Sequence, residues 1–172
     1  MLHIHVMILT FLKKYYIIFL VPQQLRGFIV SKSYPNILLA YPANQLMSIE
    51  IPRPDGSLGL LYLAGALRKD GFRVDLLDVS VGSEGDSLRE TFFRRVLQPN
   101  GLTRIGMTPK RLREHLAQQS YDIVGINSNF TPQTRMALEL AMIAKEVNPE
   151  TLVIAGGVNA RALSDRFFSS GF

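Results

Sequence analysis

The sequence predicts an α/β protein built on a doubly wound parallel sheet, and three observations carry that prediction. Four short runs, Asn36–Tyr41, Phe72–Val79, Tyr121–Asn127 and Thr151–Ala155, are rich in apolar residues, as strands covered on both faces must be. Segments with apolar residues at three- and four-residue spacing lie between them. An order of strand, helix, strand, helix then requires parallel pairing through right-handed crossovers.

The elements follow in order. Asn36–Tyr41 (NILLAY) is stopped by Pro42, and Ser57 stands where a helix cap is needed. The helix after it has Leu58, Leu61, Tyr62 and Leu67 at helical spacing, and Gly71 closes it before the second strand, Phe72–Val79. Ser80–Ser120 is broken by Gly82, Gly85, Pro99-Asn100-Gly101 and Gly106 around two helical pieces. The second piece has Thr108 as cap, Pro109 at the first helical position, and Leu112 one turn before Leu116. Tyr121–Asn127 is the third strand. Thr131-Pro132 then opens a helix, with Thr131 as cap, that runs through Met136, Leu140, Ile143, Ala144 and Val147. Thr151–Ala155 is the fourth strand, Gly156-Gly157 a tight turn and Asn159–Phe168 a last helical piece.

Residues 1–33 read as an apolar and basic extension of uncertain order, and 34–172 as the α/β domain. The extension has two apolar runs, Leu2–Leu12 and Tyr15–Val21, split by Lys13-Lys14, and neither reaches the roughly 18–20 residues of a bilayer span. A secretion signal has its cations before the apolar stretch, not within it, so a cytoplasmic protein is expected. One apolar patch with few charges anchors only marginally, and no membrane contact through residues 1–33 is expected.

Charge and composition exclude whole classes of function. Of 19 basic residues four, Lys13, Lys14, Arg26 and Lys32, lie in the first 35 residues, where there is no acid. That leaves 15 basic against 14 acidic side chains in the body, and without a basic stripe no nucleic-acid partner is expected. The absence of cysteine removes disulfide scaffolds, thiolate zinc sites, iron–sulfur clusters and catalytic thiols from this chain.

In doubly wound sheets ligands bind beyond the carboxyl ends of the strands, so the loops after strands one, three and four are the candidate site. The first, Pro42 to Gly56, spans 15 residues, longer than the roughly 2–6 usual for such a connection. Gly59 follows it one turn into the helix, leaving the backbone bare. The second loop is Asn127-Ser128-Asn129-Phe130-Thr131-Pro132, small amides and hydroxyls at a helix start, which suit an acceptor-rich ligand. The third is Gly156-Gly157 with Val158 and Asn159.

Several chemistries fail on these loops. A phosphate-accepting receiver domain needs carboxylates at the ends of strands one and three, where this chain has Ala40-Tyr41-Pro42 and Ile126-Asn127-Ser128. Neither G-x-x-x-x-G-K nor G-x-G-x-x-G follows the first strand; Asp78 could hold a ribose hydroxyl but lacks that glycine fingerprint. His3, His5 and His115 form no set with a nucleophile or with carboxylates at metal-ligand spacing.

Taken together, Pro52–Ala64 (PRPDGSLGLLYLA), Gly71-Phe72-Arg73-Val74 with Asp78, Asp122–Ile126 with Phe130-Thr131, and Ala155–Ala160 (AGGVNA) resemble the N-terminal cobalamin-binding domain of cobalamin-dependent radical S-adenosylmethionine enzymes. The resemblance covers about residues 36 to 172. It implies a Rossmann-like, flavodoxin-like sheet of order 2-1-3-4-5 that lacks its fifth strand here. It further implies a corrinoid on the carboxyl edge of the sheet, its nucleotide tail beside the strands. The residues expected to touch it are Ser57, Leu58 and Gly59, then Asn127, Ser128, Asn129, Phe130 and Thr131, then Gly156, Gly157, Val158 and Asn159. No residue is expected to ligate a metal, since the D-x-H-x-x-G segment that supplies a histidine to cobalt in related domains is missing.

Two departures from the family stand out. Asn159 takes the place where relatives commonly have a histidine, and the barrel with the cluster-binding C-x-x-x-C-x-x-C is absent. The chain alone therefore cannot cleave S-adenosylmethionine; that cofactor and a four-iron cluster belong to the missing part. A fragment of a methyltransferase-like or radical-rearrangement enzyme is the expected origin, and a separate radical S-adenosylmethionine chain is the second option. A stand-alone nucleotide- or flavin-binding protein and a non-functional remnant remain as alternatives.

Overall fold

A computed structural model describes residues 6–9, 17–20, 35–53 and 57–170. Its centre is a four-stranded sheet of β3 (Asn36–Tyr41), β5 (Arg73–Asp78), β8 (Ile123–Asn127) and β9 (Leu152–Gly156), in the spatial order β5-β3-β8-β9. All three pairings are parallel, with Leu39 opposite Leu76 on one side and Gly125 on the other, and Asn127 opposite Gly156. This is the doubly wound order 2-1-3-4 expected from the sequence.

Alternation along the strands divides the core in two. Leu38, Ala40, Leu77, Val124 and Ile126 pack with α2 (Pro109–Leu116), α3 (Thr134–Val147) and Phe167. Ile37, Leu39 and Val74 face the other way, onto Ala64 and its neighbours Leu60, Leu63 and Leu67 in α1 (Leu58–Lys69). Helix α1 lies where predicted, but its expected inner face is wrong: Leu58, Leu61 and Tyr62 are exposed. LGLLYLAGAL is apolar nearly all round, so spacing alone does not distinguish the buried stripe from its neighbour.

Caps account for the helix ends only in part. The Thr108 hydroxyl accepts from the Arg111 amide at 3.2 Å, and Gly71 continues past the end of α1 with φ of +87°, both as expected. Thr131 does not cap α3. It begins a single 3-10 turn, Thr131–Gln133, and α3 starts at Thr134, whose hydroxyl donates to the Thr131 carbonyl at 2.8 Å. The last helical piece is two short helices, α4 (Val158–Ala162) and α5 (Ser164–Phe168), separated at Leu163.

A second, antiparallel sheet, in the order β4-β7-β6, was not expected from the sequence. Strand β4 (Asn44–Leu46) lies inside the long first loop, and β6 (Val96–Leu97) and β7 (Thr103–Ile105) lie in Ser80–Ser120, where the first expected helical piece proves to be a series of turns. Buried Arg104 of β7 ties this sheet to α3: it pairs with Glu139 and donates to the Met107 carbonyl at 2.6 Å. Asp86, Ser83 and Arg111 clip the turns to α2, with Arg111 Nε 2.5 Å from Asp86 Oδ1. Within the N-terminal extension, β1 (Val6–Leu9) and β2 (Ile17–Leu20) pair antiparallel. Among the described residues no helix is long and apolar enough to cross a membrane.

Candidate functional site

The three loops do converge. Asn127 at the end of β8 donates through Nδ2 to the Ser57 hydroxyl at 2.7 Å, joining the third strand to the start of α1. Ser57 occupies the cap position, yet its hydroxyl makes no capping bond and serves this cross-link instead. The Ser128 amide donates to the Gly156 carbonyl at 2.7 Å, and the Asn159 amide returns to the Ser128 carbonyl at 3.0 Å. Residues 127 and 128 are thus the hub between the first and third loops.

Gly157 makes the close approach possible. Its φ and ψ, +108° and 172°, lie in a region open essentially only to glycine. A Cβ there would sit 2.5 Å from both the Ser128 carbonyl oxygen and Asn129 Oδ1. Gly59 and Gly156 are different, because a Cβ at either would meet nothing within 4 Å. Those two leave open space on the rim, whereas Gly157 is packed against its neighbour.

The expected contact residues therefore divide into two sets. Leu58, Phe130 and Val158 are exposed apolar side chains, and Asn129 and Thr131 are exposed polar ones. Ser128 and Asn159, at 0% and 3% exposure, lie beneath the surface and cannot touch a ligand as they stand. The expected contact residues 57–59, 127–131 and 156–159 carry no ionisable side chain, so their recognition chemistry is that of amides, hydroxyls and apolar surface, while the long first loop adds exposed Glu50 and Arg53.

Sequence reasoning passed over Gln133, Thr134 and Asn44. Gln133 Nε2 donates to the Tyr41 hydroxyl at 2.6 Å and to Asn44 Oδ1 at 2.7 Å, linking the first loop to the 3-10 turn. A signal was there: Gln133 and Thr134 stand three residues before Met136 and Ala137, in phase with the buried stripe of α3. Asp78, weighed as a ribose ligand, accepts from the Ser80 amide at 2.9 Å and the Ser80 hydroxyl at 2.6 Å through Oδ1.

The perturbed titrating groups lie off the rim loops. Burial works against ionisation of Asp86, but hydrogen bonds from Arg111 and Ser83 outweigh it and hold the carboxyl down to about 2. Burial, and then the Arg111 charge, lower His115 on α2. Tyr121 is pushed up by burial and by the Asp75 carboxylate, to which its hydroxyl donates at 3.1 Å. Among the described residues no group of histidines and carboxylates could hold a metal ion.

Comparison with known proteins agrees with this fold. Residues 56–172 match the family model of the B12 binding domain. Over 135 residues the chain is 30% identical to cytidylyl-2-hydroxyethylphosphonate methyltransferase of Streptomyces wedmorensis, an alignment covering 76% of this chain and 23% of that protein. The chain thus spans less than a quarter of the length of that relative. With a matched segment that runs from the start of α1 through all the later strands, the chain belongs to the B12-binding domain family.

Proposed function

We propose that the carboxyl rim of the sheet holds cobalamin as the binding module of a methyltransferase-like radical S-adenosylmethionine enzyme. The observation that carries this reading is the stitching of the loops to one edge of the sheet by Asn127 and Ser128, with bare backbone at Gly59 and Gly156 and exposed Leu58, Phe130 and Val158. Contact residues of this composition fit the group: apolar side chains suit the corrin face, and the amides and hydroxyls of Asn129 and Thr131 suit its amide periphery. When bound, cobalamin supplies methyl-transfer or radical chemistry at cobalt. This chain's residues bind and orient it.

Ser57, Leu58, Gly59, Asn129, Phe130, Thr131, Gly156 and Val158 are the contact residues in this reading. Asn127, Ser128, Gly157 and Asn159 hold the loops in place. In this reading no described histidine of this chain would ligate cobalt: His115 lies on α2 and on none of the rim loops. The similarity to a methyltransferase supports methyl transfer as the parent reaction, with S-adenosylmethionine and a four-iron cluster held outside this chain, in the remainder of a longer protein or in a separate one.

The test is to mix the full chain with hydroxocobalamin, separate it by gel filtration and record the visible spectrum of the protein peak. Wild type retains corrinoid. Gly156→Phe fills the open space without a backbone clash, and its retention falls at least about tenfold with little change in melting temperature. His115→Ala leaves both retention and spectrum unchanged. A folded wild-type chain that elutes free of corrinoid refutes the reading.

A further inference from the structure

Asn159 was expected to touch the ligand, yet it is buried, and its hydrogen bonds suggest a different task. Its Nδ2 donates to Ser128 Oγ at 2.7 Å and to Thr134 Oγ1 at 2.9 Å. Both partners are themselves buried, at 0% and 6% exposure. The orientation of the amide is dictated by chemistry. Thr134 gives its hydroxyl proton to the Thr131 carbonyl, so it offers only lone pairs to Asn159, and the nitrogen end must face it. In consequence Asn159 Oδ1 is left buried without a partner, an arrangement that is costly in a low-dielectric interior. The site gives up a bond to oxygen so that one nitrogen can serve two hydroxyls on two segments.

Those segments are the ones that frame the rim. The Asn159 backbone amide, and the Ala160 amide at 3.3 Å, also bond the Ser128 carbonyl. Main chain and side chain of Asn159 therefore grip both ends of the 128–134 segment from the first turn of α4, directly behind the bare Gly156-Gly157 turn.

We infer that Asn159 is a positioning residue for the cobalamin rim: its Nδ2 fixes the distance between the Gly156-Gly157 turn and the Ser128–Thr134 segment, and so sets corrinoid affinity without touching the corrinoid. The inference rests on the cobalamin reading above. A histidine at this place keeps one ring N–H donor, and a residue of similar size without a donor keeps none.

The experiment uses the full chain and hydroxocobalamin, with binding measured well below the melting temperature of every variant. Asn159→Leu is close to isosteric and removes both donors. It is expected to raise Kd about tenfold, about 1.4 kcal/mol, and to speed hydrogen exchange at the Asn159 and Ala160 amides of the free protein. Asn159→His recovers part of both effects. If Asn159→Leu melts lower but binds within twofold of wild type, the residue is merely structural and the inference fails. If Asn159→Leu does not fold, Ser128→Ala and Thr134→Val each remove one acceptor; about threefold weaker binding in both supports the inference, and unchanged binding in both overturns it. If wild type itself binds no corrinoid, the cobalamin reading fails, and hydrogen exchange in the free variants alone decides whether Asn159 fixes the two segments.

Discussion

Gly157→Ala isolates the physics of the rim. The new methyl group would face two separate penalties. The backbone at φ +108°, ψ 172° is a region that non-glycine residues occupy at a cost of about 1–3 kcal/mol. The Cβ would also lie 2.5 Å from the Ser128 carbonyl oxygen and 2.9 Å from its carbon, well inside contact distance and against backbone that cannot swing aside. Overpacking of this kind typically costs about 1–3 kcal/mol. Partial relaxation, shared between the two, leaves an expected destabilisation of about 3 kcal/mol. With a urea slope of about 2 kcal/mol per molar, the unfolding midpoint falls by about 1.5 M. The reference is Gly156→Ala, one residue earlier, where the methyl group meets nothing within 4 Å and the change stays within about 0.5 kcal/mol. Equal midpoints for the two variants would refute the claim that Gly157 alone permits the close approach of the turn to Ser128.

Three further outcomes are expected. Asp86 has a folded-state pKa of about 2, below its ordinary 3.8, so its ionisation stabilises the fold above pH 3.8 and the contribution disappears as pH falls through about 2; the stability gap between wild type and Asp86→Asn in urea titrations therefore narrows between pH 5 and pH 2.5, and a gap independent of pH contradicts the assignment. Glu139→Ala leaves buried Arg104 without its counter-charge and costs about 3 kcal/mol, most of it recovered when Arg104→Met is added, as a double-mutant cycle would show. Leu112→Ala, at one of the least exposed positions of the larger core, lowers stability by about 2–5 kcal/mol by calorimetry or denaturant.

The sequence by itself determined the layered architecture and the edge of the sheet that carries the site. Continuous apolar runs such as Asn36–Tyr41, with helices between them, require a parallel sheet covered on both faces, and the observed order β5-β3-β8-β9 agrees with the one that the family resemblance implied. The three loops were legible because Pro42–Gly56, Asn127–Pro132 and Gly156-Gly157 differ in length and composition from ordinary connections. The antiparallel sheet β4-β7-β6 was not legible. Strands of two and three residues carry no period, and Arg104 is held in the interior by partners 3 and 35 residues away, a placement no local pattern records.

Tertiary structure alone decided which member of each loop faces solvent. Ser57 and Thr131 both read as helix caps, yet the Ser57 hydroxyl is taken by the long-range partner Asn127 across the sheet, and Thr131 starts a 3-10 turn instead. The same applies to the glycines: Gly156 and Gly157 are equivalent as letters, while the neighbouring backbone of Ser128 makes one an open floor and the other a close contact. Asn159 completes the contrast. Its loop position and the family resemblance suggested a ligand contact, and only the fold, by surrounding it with Ser128 and Thr134, turns it inward. Periodicity and turn chemistry are local and survive in one dimension, whereas the burial of a polar group depends on what the rest of the chain brings to it.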